Sequence, residues 1–152
     1  MSVKKVEKEK VLNGEIFNAW GVLQGIVTNQ FPVGTTMDLL DLTKSLSDEY
    51  QKVETARNGF ITKYGDNNAE GNVELVGPND KDGRGMSANW VSFVTDLNEL
   101  FMMESDITFK KVTLPRKVTV RCEKCKHLIE TPLMMSVPDV MALEKFVGIA
   151  KE

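Results

Sequence analysis

A length of 152 residues, with 41% hydrophobic and 27% charged side chains, is typical of one compact soluble domain and excludes an intrinsically disordered chain. The formal net charge of −3 excludes an overall basic nucleic-acid binder, and the sequence contains no apolar run of the roughly 18 residues that a membrane span requires. One histidine and two cysteines exclude catalytic or metal centres that need several histidines in one pocket.

Residues 1–10 are charged and lack the apolar core of a secretory signal, so we expect the protein in a reducing cytoplasm. The first predicted helix covers residues 15–28, with Asn13 placed as its N-cap. Its apolar face repeats at spacings of three and four residues. The members of this face are Ile16, Trp20, Leu23 and Val27. Residues 31–34, Phe-Pro-Val-Gly, predict an extended connector.

The clearest pattern in the chain predicts a long helix over residues 39–64, with Thr35 and Asp38 as a capping box and Gly65 as the stop. The seam of this helix consists of Leu39, Leu42, Leu46, Tyr50, Val53, Arg57, Phe60 and Tyr64. Such a helix is about 39 Å long, which is more than a small domain covers. The pattern therefore predicts a homo-oligomer.

Residues 65–86 are rich in glycine and predict a polar loop or small hairpin around one strand at 72–76. The segment partly matches a calcium-binding loop, whose first ligands would be Asp66, Asn68 and Glu70. Gly77 stands where that loop requires a bidentate glutamate, so we do not predict calcium binding. A third helix is predicted to begin at Ser87 and to pack against the long helix.

The C-terminal third predicts a strand over residues 106–115 and a β-hairpin over 116–132 that carries both cysteines. A terminal helix follows, with Ser136 as its N-cap and Asp139 completing the capping box. Its predicted buried face is Val140, Leu143, Phe146 and Val147. Residues 1–152 thus predict a single α+β domain, in which shorter helices surround the long helix and the strands of residues 106–131 form a small antiparallel sheet.

Cys122, Cys125 and His127 are the candidate metal ligands. A strand, a Cys-x-x-Cys turn and a returning strand form half of a zinc ribbon, in which thiolates lie about 2.3 Å from a tetrahedral ion. The remaining ligands of a structural zinc can come from His127 with an acidic side chain or water, or from the cysteines of a second subunit. Free thiols without metal, and a disulfide or redox pair, remain alternatives, although thioredoxin-like motifs lie at helix N-termini.

Residues 11–109 carry 6 basic and 15 acidic side chains, whereas residues 110–130 carry 7 basic and 2 acidic ones. This basic strip consists of Lys110, Lys111, Arg116, Lys117, Arg121, Lys124 and Lys126. It can contact phosphates, but the interleaved aromatic residues of a nucleic-acid site are missing, so the strip is expected to offset the acidic helices. The methionine pairs at 102–103 and 134–135 are expected to fill gaps in the packing.

Four stretches resemble a family of small tailed-phage proteins of uncharacterised function. They are EIFNAWGVL at 15–23, ETARNGFITKYG at 54–65, LNEL at 97–100 with the strand at Ile107, and MALEKF at 141–146. The resemblance implies a phage origin and a similar architecture. Because each stretch is a packing or capping pattern, it transfers no functional residue, and the Cys122 hairpin departs from the family pattern.

The sequence contains neither a Gly-x-Ser-x-Gly elbow nor a phosphate-binding glycine loop, so no catalytic residue and no enzyme is predicted. The expected function is that of a phage-encoded protein that binds other phage or host proteins, as a virion structural or assembly component in the host cytoplasm or the virion. The alternative is a host-takeover or anti-defence factor that blocks a bacterial protein, nucleic acid or signal, with the acidic residues of 38–54 as a decoy surface.

Overall fold

The computed structural model describes residues 10–67, 70–75, 77 and 89–151. Within these residues it contains four helices and eight short strands. The predicted α+β fold is confirmed, with a long helix at its centre and an antiparallel hairpin in the C-terminal third. The predicted helix start at Ser87 and the position of Asn68 in the calcium-like loop lie outside the described residues.

The first helix, α1 (Asn13–Ile26), follows a two-residue strand, β1 (Val11–Leu12). The prediction of Asn13 as an N-cap is wrong, because Asn13 is a buried helical residue that bonds the end of another helix. Its backbone N–H donates to the Met103 carbonyl at 2.9 Å, and its side chain donates to the Leu100 carbonyl at 3.1 Å. Asn13 thereby satisfies carbonyl groups that a helix C-terminus leaves without intrahelical partners.

The long helix, α2 (Val33–Tyr64), has 32 residues and is about 48 Å long. It begins earlier than predicted, so the connector ends at Pro32, which takes the N-cap position. The predicted capping box of Thr35 and Asp38 is wrong, since both residues lie inside the first turns of the helix. The predicted stop at Gly65 is confirmed.

In the described part of the glycine-rich segment, residues 65–67, 70–75 and 77, two short strands form a small hairpin. Strand β2 (Asp66–Asn67) pairs antiparallel with β3 (Val73–Glu74), which confirms the centre of the strand predicted at 72–76. The third helix, α3 (Trp90–Met102), packs against α2 and leads into β4 (Glu104–Ser105), which pairs with β1. The two ends of the chain segment 11–105 are therefore joined.

An aromatic cluster fixes the three helices against one another. Trp20 of α1 stacks on Tyr50 of α2, with ring centroids 4.8 Å apart. Phe17 lies 5.7 Å from Tyr50 and 5.2 Å from Phe101 of α3, and the Arg57 guanidinium lies over the Phe17 ring. All eight predicted seam residues of α2 are buried or half-buried within one chain. The seam is thus covered by the protein's own helices and strands.

The C-terminal third contains two separate strand pairs. Strand β5 (Val112–Leu114) pairs in parallel with β8 (Val147–Ile149), whereas β6 (Lys117–Arg121) and β7 (Leu128–Pro132) form the predicted antiparallel hairpin. The prediction that residues 106–115 form one long strand of the hairpin's sheet is wrong. Only three of those residues are in a strand, and their partner comes from the C-terminus.

Helix α4 (Val137–Leu143) precedes β8 and is shorter than predicted. The Ser136 side chain accepts a hydrogen bond from the backbone N–H of Asp139 at 3.3 Å, which confirms the predicted N-cap. The sequence predicts Phe146 and Val147 on the buried face of this helix. Both are buried, but Phe146 lies in a turn and Val147 begins β8.

The core lies between α1, the first half of α2, α4 and the β5–β8 pair. Its fully buried large side chains include Ile16, Leu23, Leu42, Leu46, Leu114, Leu143 and Phe146. The Lys145 ammonium lies 2.8 Å from a Glu15 carboxylate oxygen, which also accepts the Leu12 backbone N–H at 3.0 Å. This half-buried pair ties the segment after α4 to the first turn of α1.

Gly65 ends α2 because its backbone packs closely against the glycine-rich hairpin. Its φ of −77° is open to any residue, but a Cβ atom there would lie 2.5 Å from the Ile61 carbonyl oxygen and 2.6 Å from Val73 Cγ1. We expect Gly65→Ala to lower the free energy of unfolding by about 1–3 kcal/mol, because the backbone must shift.

The control is Gly59→Ala within the same helix, where an added Cβ atom meets nothing within 4 Å. This variant is expected to raise the free energy of unfolding by about 0.5–1 kcal/mol, because alanine favours a helix over glycine. Chemical denaturation measures both variants. A Gly65→Ala protein as stable as the parent would contradict the close approach.

Candidate functional site

The hairpin of β6 and β7 carries the predicted metal ligands at its tip and the wall of a groove at its base. Directly opposed residues run from the Lys117–Pro132 pair at the base to the Arg121–Leu128 pair near the tip. Val118 is buried at the base, whereas every residue from 123 to 130 is exposed. The hairpin is therefore anchored at one end and projects into solvent at the other.

The two cysteines lie in the turn that joins these strands, and neither is in a disulfide. The Cys122 backbone N–H donates to the His127 carbonyl at 2.9 Å, and the Lys126 N–H donates to the Cys122 carbonyl at 2.9 Å. Lys126 has a φ of 60°, in the left-handed region. These bonds close the turn on itself and hold Cys122 at the end of β6.

The Cys122 thiol lies among hydrogen-bond donors. Donation from the Cys125 backbone N–H lowers the pKa of the Cys122 thiol below its ordinary value, and the Cys125 side chain and the Lys124 backbone N–H add to this effect. Such donors stabilise the thiolate relative to the thiol. The turn therefore favours the form of Cys122 that acts as a metal ligand or nucleophile.

His127 does not complete a three-ligand set with the cysteines. Across residues 10–67, 70–75, 77 and 89–151, no three cysteine, histidine or acidic side chains are grouped closely enough to hold a metal ion. The structure thus brings Cys122 and Cys125 together in one turn and leaves His127 directly before β7. Its backbone carbonyl, rather than its imidazole, contributes to the turn.

We expect Cys122 in the folded protein to react with iodoacetamide at lower pH than an ordinary thiol, because its lowered pKa leaves more thiolate at neutral pH. Site-resolved mass spectrometry over a pH series measures the reaction. In denaturant, where the turn is lost, the pH midpoint for Cys122 should rise towards the ordinary value. Identical pH profiles in the folded and denatured protein would contradict the hydrogen bonding described for the turn.

A groove of about 970 Å³ lies beside the base of the hairpin. It is bounded by β6 and β7, the connector between α1 and α2, α4, and the ends of β5 and β8. The apolar residues of its lining are Pro32, Pro115, Pro132, Leu133, Met135, Val140, Ile149 and Ala150. Its charged residues are Arg116, Lys117, Glu130 and Lys151, so basic side chains outnumber acidic ones.

Two exposed apolar stripes lie on α2 and α4. Val33, Met37 and Leu40 follow Pro32 on α2 at spacings that place them on one helical face. Val137 and Met141 flank Val140 in the same way on α4. The α4 stripe adds exposed apolar side chains next to the groove, whereas the α2 stripe lies on the face of its helix opposite the buried seam.

The methionine pairs contribute to the exposed surface. The prediction that they fill gaps in the packing is wrong for Met102, Met103 and Met134, which are exposed. It is confirmed for Met135, which packs against the core. Exposed methionines give a surface that adapts to the shape of a partner.

The basic strip is partly used within the fold. Lys110 and Lys111 border a small cavity of about 50 Å³ together with Asp38 and Asp41 of α2. The Arg116 guanidinium donates to the Ala150 carbonyl at 2.7 Å and so holds the end of β8. These positions support charge compensation rather than phosphate contact for this part of the strip.

Sequence reasoning missed the groove entirely. Its lining comes from the connector at residues 30–32 and from separate stretches between 115 and 151, which no local pattern links. The only signals in the sequence were Pro115 and Pro132, since a proline at a strand end marks an edge that the sheet leaves open. Placing them around one groove requires the β5–β8 pairing.

Comparison with known proteins matches the chain to no family model, no curated protein and no solved structure. In the part of the chain that the structure describes, no helix has the length and apolar character needed to cross a bilayer. The groove and the cysteine turn are therefore the features from which a function can be inferred.

Proposed function

We propose that this protein is a non-enzymatic protein-binding component encoded by a tailed bacteriophage, acting in the virion or in its assembly. The groove at the base of the hairpin is the observation that carries this proposal. Its apolar lining and the exposed Val137 and Met141 beside Val140 on α4 leave hydrophobic surface uncovered. Exposed apolar patches of this kind mark sites of protein contact.

The occupant of the groove is a segment of another protein that combines apolar and acidic side chains. Apolar side chains of that segment would be buried against Leu133, Met135 and Val140. Its carboxylates would face Lys117 and Lys151 of the lining, where opposite charges favour the correct orientation and faster association. A strongly basic segment is disfavoured by the same residues.

The second candidate is a host-takeover or anti-defence factor, and the exposed carboxylates of α2 favour it. Asp38, Asp41 and Asp48 are all exposed, at spacings of three and seven residues that share one helical face. Such a row can compete for a basic surface on a bacterial protein. Asp38 and Asp41 are partly compensated by Lys110 and Lys111 beside them, which leaves this candidate second.

The location and timing of the protein distinguish the two candidates. Quantitative mass spectrometry of purified particles, combined with a time course of expression during infection, measures both. A virion component is expected at a fixed number of copies per particle, and an assembly factor is expected with late expression. Absence from particles together with early expression would contradict the proposal and support a host-directed factor.

We expect Val140→Glu to reduce incorporation into particles, or binding to the assembly partner, by about tenfold or more, because it places a carboxylate in the apolar wall of the groove. Val91→Glu is the matched control, since Val91 is also an exposed valine on a helix but lies outside the groove. Complementation of an infection with each variant provides the measurement. An equal effect of the two substitutions would exclude the groove as the contact site.

A further inference from the structure

The cysteine turn holds only part of a tetrahedral metal site. Structural zinc sites use four ligands, which are four cysteines, three cysteines with one histidine, or two of each. The whole chain contains two cysteines and one histidine, so a single copy cannot supply any of these sets. A second copy of the same chain would supply the two thiolates that are missing.

The placement of the two cysteines allows a second copy to reach them. Cys125 is exposed, and it lies within the run of exposed residues from 123 to 130 at the outer end of the hairpin. Cys122 is partly buried directly after β6, at the same end of the hairpin as Cys125.

An apolar pair lies next to Cys122 on the same face of the hairpin. Val120 and Ile129 oppose each other across the strands, and both are exposed. Because side chains alternate between the faces of a strand, Val120 shares its face with Cys122 two residues later. Two hairpins that meet through their cysteines would bury this pair. Burial of these apolar side chains favours the orientation in which the cysteines of the two copies face each other.

The opposite face of the hairpin lines the groove. The opposed pairs Lys117–Pro132 and Thr119–Glu130 belong to that face. Thr119 is next to Val120 in the strand, and successive side chains of a strand lie on opposite faces. Contact between two copies through the face with Val120 and Cys122 therefore leaves the groove open to another protein. The two surfaces can be used at the same time.

We propose that Cys122 and Cys125 bind zinc together with the same two cysteines of a second copy, forming a four-thiolate site between two hairpins. Each ligating thiol loses its proton to solvent when zinc binds. The site is incomplete in one chain, so zinc controls whether the chains associate. This proposal is independent of the groove and of the phage function.

The test uses the full chain, purified without a histidine tag, reduced, and treated with a chelator. Zinc is then added, the excess is removed, and the zinc content and the particle mass are measured by elemental analysis and light scattering. We expect half a zinc ion per chain and a twofold increase in mass over the chelator-treated protein. Cobalt as the probe should show the visible d–d bands and the near-ultraviolet thiolate-to-cobalt charge-transfer absorption of a tetrahedral thiolate site.

Three substitutions distinguish the proposed site between two copies from a site within one chain. Cys125→Ser should abolish both zinc binding and the mass increase, whereas His127→Gln should leave both unchanged because histidine is not a ligand. Ile129→Asp keeps all thiols but adds a charge where the two copies meet, and should weaken the zinc-dependent association by about tenfold. All three changes are at exposed or turn positions, and circular dichroism checks that the fold is retained.

Several results would overturn the proposal. One zinc ion per chain without a change in mass would indicate a site within a single copy, and loss of zinc in His127→Gln would make the histidine a ligand. Absence of zinc binding, or zinc binding that leaves the mass unchanged, would exclude a site between copies. Unchanged association of Ile129→Asp would exclude the arrangement in which the apolar pairs meet.

Discussion

Replacing Phe146 by alanine is expected to lower the free energy of unfolding by about 3–5 kcal/mol. The Phe146 side chain is 1% exposed, and its ring lies 5.0 Å from that of Phe109. Its backbone carbonyl accepts the Val112 N–H at 3.0 Å, next to the first residues of the β5–β8 pair. The substitution leaves a cavity where α4, α1 and this strand pair meet.

The loss is a large fraction of the stability of about 5–15 kcal/mol that is usual for a folded protein. Urea denaturation followed by circular dichroism measures it. Met141→Ala is the control, because Met141 belongs to the adjacent helix but is 69% exposed. We expect this control to change stability by less than about 0.5 kcal/mol. Similar losses in the two variants would show that Phe146 is not part of the core.

Leucine-to-alanine substitutions along α2 are expected to lower the free energy of unfolding much more in the buried seam than in the exposed stripe. Leu46 is fully buried and Leu40 is 43% exposed, and both lie inside the same helix. We expect Leu46→Ala to cost about 2–5 kcal/mol, because it removes buried methyl groups and leaves a cavity. Leu40→Ala removes the same atoms from a partly hydrated position and should cost less than about 1 kcal/mol.

This pair controls for helix propensity, since both variants exchange leucine for alanine within one helix. The midpoints and slopes of urea denaturation are compared at equal protein concentration. Repeating the measurement over a range of concentrations tests whether α2 contributes to self-association. If Leu40→Ala proved as destabilising as Leu46→Ala, and only at high concentration, the exposed stripe would be an interface between copies of the chain.

The interior of the long helix could be predicted from the sequence because its signal is local. Spacings of three and four between apolar residues determine which face is buried, whatever the helix packs against. Leu42 and Leu46 are fully buried, as their positions in the seam predict. Ser136 is correct for a similar reason, since its side chain bonds the Asp139 N–H within the first turn of the helix.

The start of α1 could not be predicted because a tertiary contact competes with local capping. Asn13 has the chemistry of an N-cap, but its side chain bonds the Leu100 carbonyl, 87 residues away in sequence. The start of α2 also differs from the prediction, since the helix begins directly after Pro32. A local pattern predicts that a residue such as Asn13 forms capping hydrogen bonds, but it does not predict which backbone group the side chain bonds.

Local patterns were sufficient for the α+β class, the central helix and a hairpin with two cysteines in its turn, because each depends on periodicity or on neighbouring residues. Whether Val147 continues α4 or starts a strand depends instead on distant contacts. Its burial fits both, and the strand forms because Val147 pairs in parallel with Val112. That pairing also creates the groove, because it brings the C-terminus beside the hairpin. Contacts between residues far apart in sequence leave no periodic signal, so the surface proposed to bind other proteins was visible only in the folded chain.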